Sequence, residues 1–177
     1  MTHGLRLGMP VMEKHPNRAP FEGVLALIET PSDEAASGSC GHRIVLSREG
    51  AEAALPSLLG MAVNFKDDWR GHNPRQKAGI ITEVYLAGME LWVRGVVYAR
   101  DFPELVERAS VESSAGSKGS LGMSLEMTET QVGDRDSRVW IVESLIFVGA
   151  AVVERERAGW RSTRFNILRP EAYERLK

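Results

Sequence analysis

The stretch "AGIITEVYLAGMELWVRGVVYA" (residues 78–99) contains two runs rich in β-branched, aromatic and other large apolar residues on either side of Ala87-Gly88-Met89. Residues of these types favour strands, and a short glycine-containing break between two such runs is typical of a β-hairpin. We therefore predict that residues 78–99 form two antiparallel strands joined by a tight turn.

The rest of the chain carries shorter segments of the same kind, together with two helix signals. Strands are predicted in the ranges 21–30, 42–46, 60–65, 120–130 and 137–153. Ser47 and Asp101 each precede a helical pattern, the first of which ends near Pro56, because short polar side chains cap helix N-termini. Since most successive strands are linked by short turns, we predict a mainly β (α+β) fold. Its expected form is an antiparallel β-barrel of about six to seven strands with flanking helices.

Chain length and local composition predict the domain organisation. The 177 residues are enough for one domain with appended ends. Residues 1–20 hold three prolines and two histidines with little periodicity, so we predict an N-terminal arm there. We place the β-barrel domain at residues 21–155 and a charged C-terminal tail at residues 156–177.

Composition argues against several classes of protein. The net charge of -2 argues against a nucleic-acid-binding protein that relies on an overall basic surface. The single cysteine, Cys40, excludes internal disulfides and a multi-cysteine zinc site. No apolar run approaches the roughly 20 residues that span a membrane, and the N-terminus lacks the apolar core of a signal peptide. We expect a soluble intracellular protein with no cofactor.

Ser124 lies in the segment "GSKGSLGMSLEM" (residues 116–127), where large apolar and small or polar residues alternate. In a strand this alternation separates two faces, so Ser124 shares its face with Gly122 and Glu126. The serine is then either part of a hydrated strand face or a nucleophile on a rigid strand. In the second case, the missing side chain of Gly122 leaves room for a substrate backbone.

Glu143 stands in the apolar run "VWIVESLIF", where both strand faces are mostly apolar. The alternation predicts that its carboxylate is at least partly buried, which is costly unless the charge is paired or hydrogen-bonded. The partner is either an arginine, such as Arg138 or Arg94, in a structural ion pair, or a histidine in a functional site.

His72 follows a glycine in the polar segment "DDWRGHNPR". It is either a surface-loop histidine or a base: a neutral imidazole can take the proton of Ser124 if the fold brings the two together, with Glu143 orienting the ring. A metal-dependent hydrolase that uses His42, His72, Asp67 and Asp68 is a further alternative, although this spacing fits no standard pattern.

Several segments in order resemble the prohead (capsid maturation) proteases of tailed phages, which are related to the herpesvirus assemblin proteases. They lie between residues 21 and 153, and each resembles one stretch of that family. The segments are "LPSLLGMAVNF", "GHNPRQKAGIITEV", "MELWVRGVVYA", "GSLGMSLEM" and "WIVESLIFVGAAVV".

This resemblance implies an antiparallel β-barrel and a serine endopeptidase in which Ser124 is the nucleophile and His72 the general base. It implies Glu143 as the third member, but relatives also use a histidine or an aspartate, and Glu126 is an alternative. The oxyanion would be bound by backbone N–H groups of residues 116–119 or by Arg138.

The resemblance also implies a biological role. Family members process scaffold and capsid proteins, and often themselves, inside the assembling prohead in the host cytoplasm, and related viral enzymes form dimers. We therefore expect capsid and scaffold segments as substrates and a homo-oligomer. The alternative is a catalytically inactive β-barrel that serves as a virion structural or scaffold-binding protein.

Overall fold

The predicted mainly β fold is confirmed by a computed structural model that describes residues 4–10, 15–112 and 120–168. The described residues form two α-helices and nine strands, all in one sheet. The helices are α1 (Arg48–Leu58) and α2 (Pro103–Glu112), and the strands are β1 (Gly4–Arg6), β2 (Ala19–Leu27), β3 (Arg43–Leu46), β4 (Ala62–Phe65), β5 (Lys77–Ala87), β6 (Glu90–Val97), β7 (Leu121–Val132), β8 (Val139–Glu154) and β9 (Arg164–Ile167).

The sheet is mixed rather than purely antiparallel. Its main order is β3-β8-β4-β5-β6-β2-β9, with β1 added beside β5 and β7 beside β8. β3 and β4 both run parallel to β8, whereas every other pair is antiparallel. The parallel pairs arise because α1 connects β3 to β4, and a crossover of this length returns the chain in the same direction.

The predicted hairpin at residues 78–99 and the helix predicted after Ser47 are both confirmed, as β5–β6 and α1. The turn between β5 and β6 contains Gly88 with φ +63°, a conformation that favours glycine. At the start of α1, the hydroxyl oxygen of Ser47 accepts a hydrogen bond of 3.1 Å from the backbone N–H of Gly50. α1 continues two residues past Pro56.

The sheet curls so that β2 and β7, which are not hydrogen-bonded neighbours, pack against each other. A Cβ atom on Gly23 of β2 would overlap the Met123 sulfur of β7, so glycine permits this approach. The core lies inside the curl and under α1. Its largest fully buried side chains include Phe21, Phe65, Phe147, Leu25, Leu91, Leu105 and Met123.

Both terminal segments contribute strands beyond the predicted barrel limits of 21 and 155. β1 pairs with β5, and β9 pairs with β2, with Phe165 opposite Gly23. The ring of Phe165 lies 5.1 Å from that of Phe21, so β9 belongs to the hydrophobic core. Within the described ranges, neither helix has the length and apolar character needed to cross a lipid bilayer.

The expected burial of Glu143 is wrong, because the β7–β8 pairing contains a bulge. Gln131 lies opposite Ser144, whereas the next residue, Val132, lies opposite Val142, so Glu143 is an extra residue in β8. An extra residue shifts the alternation of the strand. Glu143 and Ser144 are therefore both exposed, while Leu145 returns to the core.

Candidate active site

Ser124 and His72 lie in hydrogen-bond contact although 52 residues separate them in sequence. Ser124 sits on β7, opposite Ala151 of β8, and His72 lies in the loop between β4 and β5. The distance from Ser124 Oγ to His72 Nε2 is 2.9 Å. The structure therefore brings together a hydroxyl and an imidazole in the arrangement that a nucleophile and its base require.

Glu126 contacts the other ring nitrogen of His72. Its Oε1 atom lies 2.8 Å from His72 Nδ1. An ionised carboxylate can only accept hydrogen bonds, so Nδ1 of the neutral ring carries the proton. Nε2 then has a free lone pair and accepts a hydrogen bond from the Ser124 hydroxyl group.

Two features of the neighbouring strands hold Glu126 in place. Asn64 of β4 donates a hydrogen bond of 2.5 Å from Nδ2 to Glu126 Oε1. Gly149 lies opposite Glu126, and a Cβ atom there would come within 2.5 Å of Glu126 Oε2, so the missing side chain makes room for the carboxylate. Partial burial by itself would raise the pKa of Glu126, but the hydrogen bonds from His72 and Asn64 outweigh burial and lower it, which favours the ionised form.

The loop that carries His72 is fixed at several points. Trp69 has a φ of +59° and stacks on Phe65 at a ring distance of 4.9 Å. The Trp69 carbonyl oxygen accepts a hydrogen bond of 2.7 Å from the backbone N–H of Glu154, at the end of β8. The backbone N–H of Asn73 donates to Asn64 Oδ1 at 2.9 Å. Residues on both sides of His72 are therefore attached to the sheet.

Glu143, the predicted third member, lies elsewhere. Its carboxylate approaches the backbone of Gly133, at the turn end of the β7–β8 hairpin. Ala151, the partner of Ser124, is eight residues further along β8, which corresponds to about 26 Å of strand. The structure therefore places Glu126, rather than Glu143, beside His72.

Gly122 does not provide the expected clearance for a substrate. A Cβ atom on it would lie 2.7 Å from Thr163 Oγ1 and 3.2 Å from Arg155 Cα, so these residues occupy the space. The hydroxyl of Thr163 also accepts a hydrogen bond of 3.2 Å from the backbone N–H of Met123. Arg155 Nε is buried and has no hydrogen-bond partner among the described residues.

A groove of about 560 Å³ opens beside the Ser124–His72 pair. It is bounded by the loop before β3, by the His72 loop, by β7 and by the segment after β8. Its lining includes Ser32, Ala36, Ile44, Met127, Arg157 and Trp160. The groove is large enough for several residues of an extended peptide, and Ser124 lies on its wall.

The other predicted site residues do not meet at this groove. Arg138 lies at the start of β8, where its carbonyl oxygen contacts His42 Nδ1 at 3.4 Å, and residues 116–119 lie outside the described part of the chain. His42 stacks on Trp140 at 4.7 Å. Asp67 and Asp68 bind groups of their own loop. Within the described ranges, no three histidine, cysteine or acidic side chains cluster as metal ligands.

Sequence reasoning missed Asn64 and Arg155. Asn64 had a usable signal, because it is a polar residue between Val63 and Phe65 in a predicted strand. Arg155 had none, since one arginine in a charged segment does not stand out. Glu126 was visible as a carboxylate on the face of Ser124 and was an alternative to Glu143 as the third member.

No protein-family model and no curated protein matches this chain. Among solved structures, the chain is similar to KSHV protease in complex with a hexapeptide phosphonate inhibitor, at 12% sequence identity and a TM-score of 0.45. The similarity covers 76% of this chain and 59% of the length of that protease.

Proposed function

We propose that this chain is a serine endopeptidase with Ser124 as nucleophile, His72 as general base and Glu126 as the residue that orients the base. The observation that carries the proposal is the continuous hydrogen-bonded series from Ser124 Oγ to His72 (2.9 Å) and from His72 to Glu126 (2.8 Å). The adjoining groove supports a polymeric substrate. In this assignment Glu126 replaces Glu143, which lies far from the imidazole.

The proposed reaction has two stages. Ser124 Oγ attacks the carbonyl carbon of a peptide bond while its proton passes to His72 Nε2, and the imidazolium then gives that proton to the leaving amine as the C–N bond breaks. Water hydrolyses the resulting ester by the reverse use of the same base. Throughout, Glu126 holds the Nδ1 proton and stabilises the charged ring.

We assign stabilisation of the tetrahedral oxyanion to Arg155. Its main chain packs against Gly122, two residues before Ser124 on the same strand face, and its Nε–H group has no partner within the described residues. Arg155 is half-buried, and a cationic N–H group that has no partner among the described residues is suited to a negative charge that develops only in the transition state. Arg155 takes this role in place of Arg138.

We also propose the biological setting that the sequence resemblance implies. The substrates are segments of capsid and scaffold proteins, and of the chain itself, inside an assembling phage prohead in the host cytoplasm, with the protease acting as a homo-oligomer. The support for this setting is the order of the resembling segments between residues 21 and 153. Co-expression with the capsid and scaffold proteins of the same virus tests it, and the oligomer is tested by sedimentation.

The second candidate is a catalytically inactive β-barrel that binds scaffold or forms part of the virion. The aligned contacts of His72 favour the enzyme, because a purely structural surface has no need of an imidazole placed between a hydroxyl and a carboxylate. Binding of scaffold protein without its cleavage, and without covalent labelling of any serine, would favour the structural protein.

The deciding experiment is covalent labelling with a peptidyl phosphonate, which reacts with activated serines. We expect one adduct, located within the tryptic peptide of residues 119–135 at Ser124. The variant Ser124→Ala should lose both the adduct and cleavage of co-expressed capsid or scaffold protein. Ser120→Ala is the matched control, because Ser120 lies in the same peptide and its backbone carbonyl, which accepts a hydrogen bond from the Arg155 N–H, is kept by the substitution. Cleavage by Ser124→Ala at the wild-type rate would refute the assignment.

A further inference from the structure

Asn64 is a buried polar residue at the centre of the site that the proposed chemistry does not use. It is 2% exposed and lies on β4, between two apolar residues of the core. A buried amide is costly unless its donors and acceptor are paired. Both polar atoms of the Asn64 side chain have partners: one is the carboxylate of Glu126, and the other is the backbone N–H of Asn73, the residue that follows His72.

The contacts of Asn64 determine the orientation of its amide. The Oδ1 atom lies 2.9 Å from the backbone nitrogen of Asn73, which can only donate. The Nδ2 atom lies 2.5 Å from Glu126 Oε1, which accepts when ionised. In the reverse orientation the amide nitrogen would face the N–H of Asn73, and the amide oxygen would face the carboxylate of Glu126, so neither contact could be a hydrogen bond. The amide is therefore locked, with one N–H directed at the carboxylate.

The same carboxylate oxygen accepts from both Asn64 and His72. Glu126 Oε1 receives Nδ2–H of Asn64 and Nδ1–H of His72, while Oε2 lies in the space left by Gly149. A second donor on Oε1 stabilises the ionised carboxylate and restricts its rotation. Through Asn73, Asn64 also holds the residue that follows His72, so it fixes the two partners relative to each other.

We propose that Asn64 is a positioning residue that holds the Glu126 carboxylate directed at His72 and fixes the loop that presents the imidazole. The proposal rests on the proposed protease function and extends it to a residue that touches neither the substrate nor Ser124. Asn64 affects catalysis only through Glu126 and His72, so its removal should lower kcat with little change in KM.

A double-mutant cycle on the full chain tests this role. Asn64→Ala is expected to lower kcat/KM by roughly 10- to 100-fold, mostly in kcat, for a peptide cleaved by the wild type. In the Glu126→Ala background the same substitution should cost several-fold less than it does in the wild type, because the contact with Glu126 is already absent and only the contact with the Asn73 N–H is lost. Losses that multiply instead would show that Asn64 acts independently of Glu126 and would overturn the proposal.

Asn64→Asp is a second variant that keeps side-chain size if the alanine variant fails to fold. It retains an acceptor for the Asn73 N–H but faces Glu126 with a second carboxyl group. Two carboxyl groups at this distance share one proton, so the variant should be active while that proton is held and lose activity as it leaves at higher pH. A pH profile parallel to that of the wild type would refute the role, since lost stability alone adds no new titration.

Asn17→Ala is the control for losing an amide with the same pair of contacts at a half-buried position outside the site. Asn17 also donates to a carboxylate, Asp101 Oδ2 at 2.8 Å, and accepts from a backbone N–H, that of Arg100 at 2.8 Å. It should leave kcat and the pH profile unchanged. Failure of the proposed function is separately visible, since Ser124→Ala would then retain cleavage whatever Asn64 does.

Discussion

Gly149→Ala tests the active site through the space that surrounds Glu126. The added Cβ atom would lie 2.5 Å from Glu126 Oε2 and 3.2 Å from Cδ, while its next contact, the Ala62 carbonyl oxygen, is at 3.4 Å. An ordinary contact therefore requires the carboxylate to move by roughly 1 Å. The backbone need not move, because the atom that yields is the end of a flexible side chain.

The movement should affect catalysis far more than stability. Displacing the carboxylate by about 1 Å from His72 and Asn64 is expected to lower kcat/KM roughly 100-fold. The free energy of unfolding should change by less than about 1 kcal/mol, because replacing glycine within a strand restricts the unfolded chain and offsets part of the strain. Thermal denaturation and steady-state kinetics on one preparation separate the two effects.

Two comparisons make the result decisive. Gly8→Ala is the control, because its Cβ atom meets nothing within 4 Å and it lies outside the site, so it should behave as the wild type. In the Glu126→Ala background, Gly149→Ala should have no further effect on kcat. The reasoning is refuted if Gly149→Ala alone keeps the wild-type kcat, or if its effect persists after Glu126 has been removed.

Three further predictions concern charge and packing. Glu126→Gln should lower kcat/KM by roughly 10-fold or more, since an amide stabilises the imidazolium formed in the transition state less than a carboxylate does, whereas Glu143→Gln should leave kcat/KM unchanged. Because folding lowers the pKa of Glu126 from its ordinary value of 4.5, its ionised carboxylate stabilises the folded state at pH values above 4.5, and this stabilisation is lost as the pH falls through the folded-state pKa. In denaturant titrations, the free energy of unfolding should therefore fall less on acidification for Glu126→Gln than for the wild type. Gly95→Ala should destabilise by about 2 kcal/mol or more, because its Cβ atom would overlap the Ile80 carbonyl oxygen and lie 2.8 Å from a Phe21 ring carbon; a midpoint in urea equal to that of the wild type would contradict this.

Local patterns in the sequence predicted the β5–β6 hairpin and α1 because turn and cap chemistry act over a few residues. They could not predict the parallel pairing of β3 and β4 with β8, which depends on how α1 packs. The bulge at Glu143 had no local signal either, and a shift of one residue reverses which side chains are buried. The placement of Glu143 failed for that reason, whereas Ser124 and Glu126 lie in a part of β7 with regular pairing and kept the predicted common face.

The spacing of Ser124 and Glu126 on β7 explains why several contacts from the sheet are used to fix the loop that carries His72. Residues two apart on a strand point to the same side with their Cα atoms about 6.6 Å apart, so β7 alone sets the distance between nucleophile and carboxylate. The imidazole of His72, which bonds both side chains, belongs to the loop between β4 and β5, so β7 does not determine its position. Trp69 and Asn64 attach the loop on either side of His72, and Asn64 and Gly149 confine the carboxylate that receives it. Substitutions at these positions should therefore alter proton transfer while leaving β7 intact.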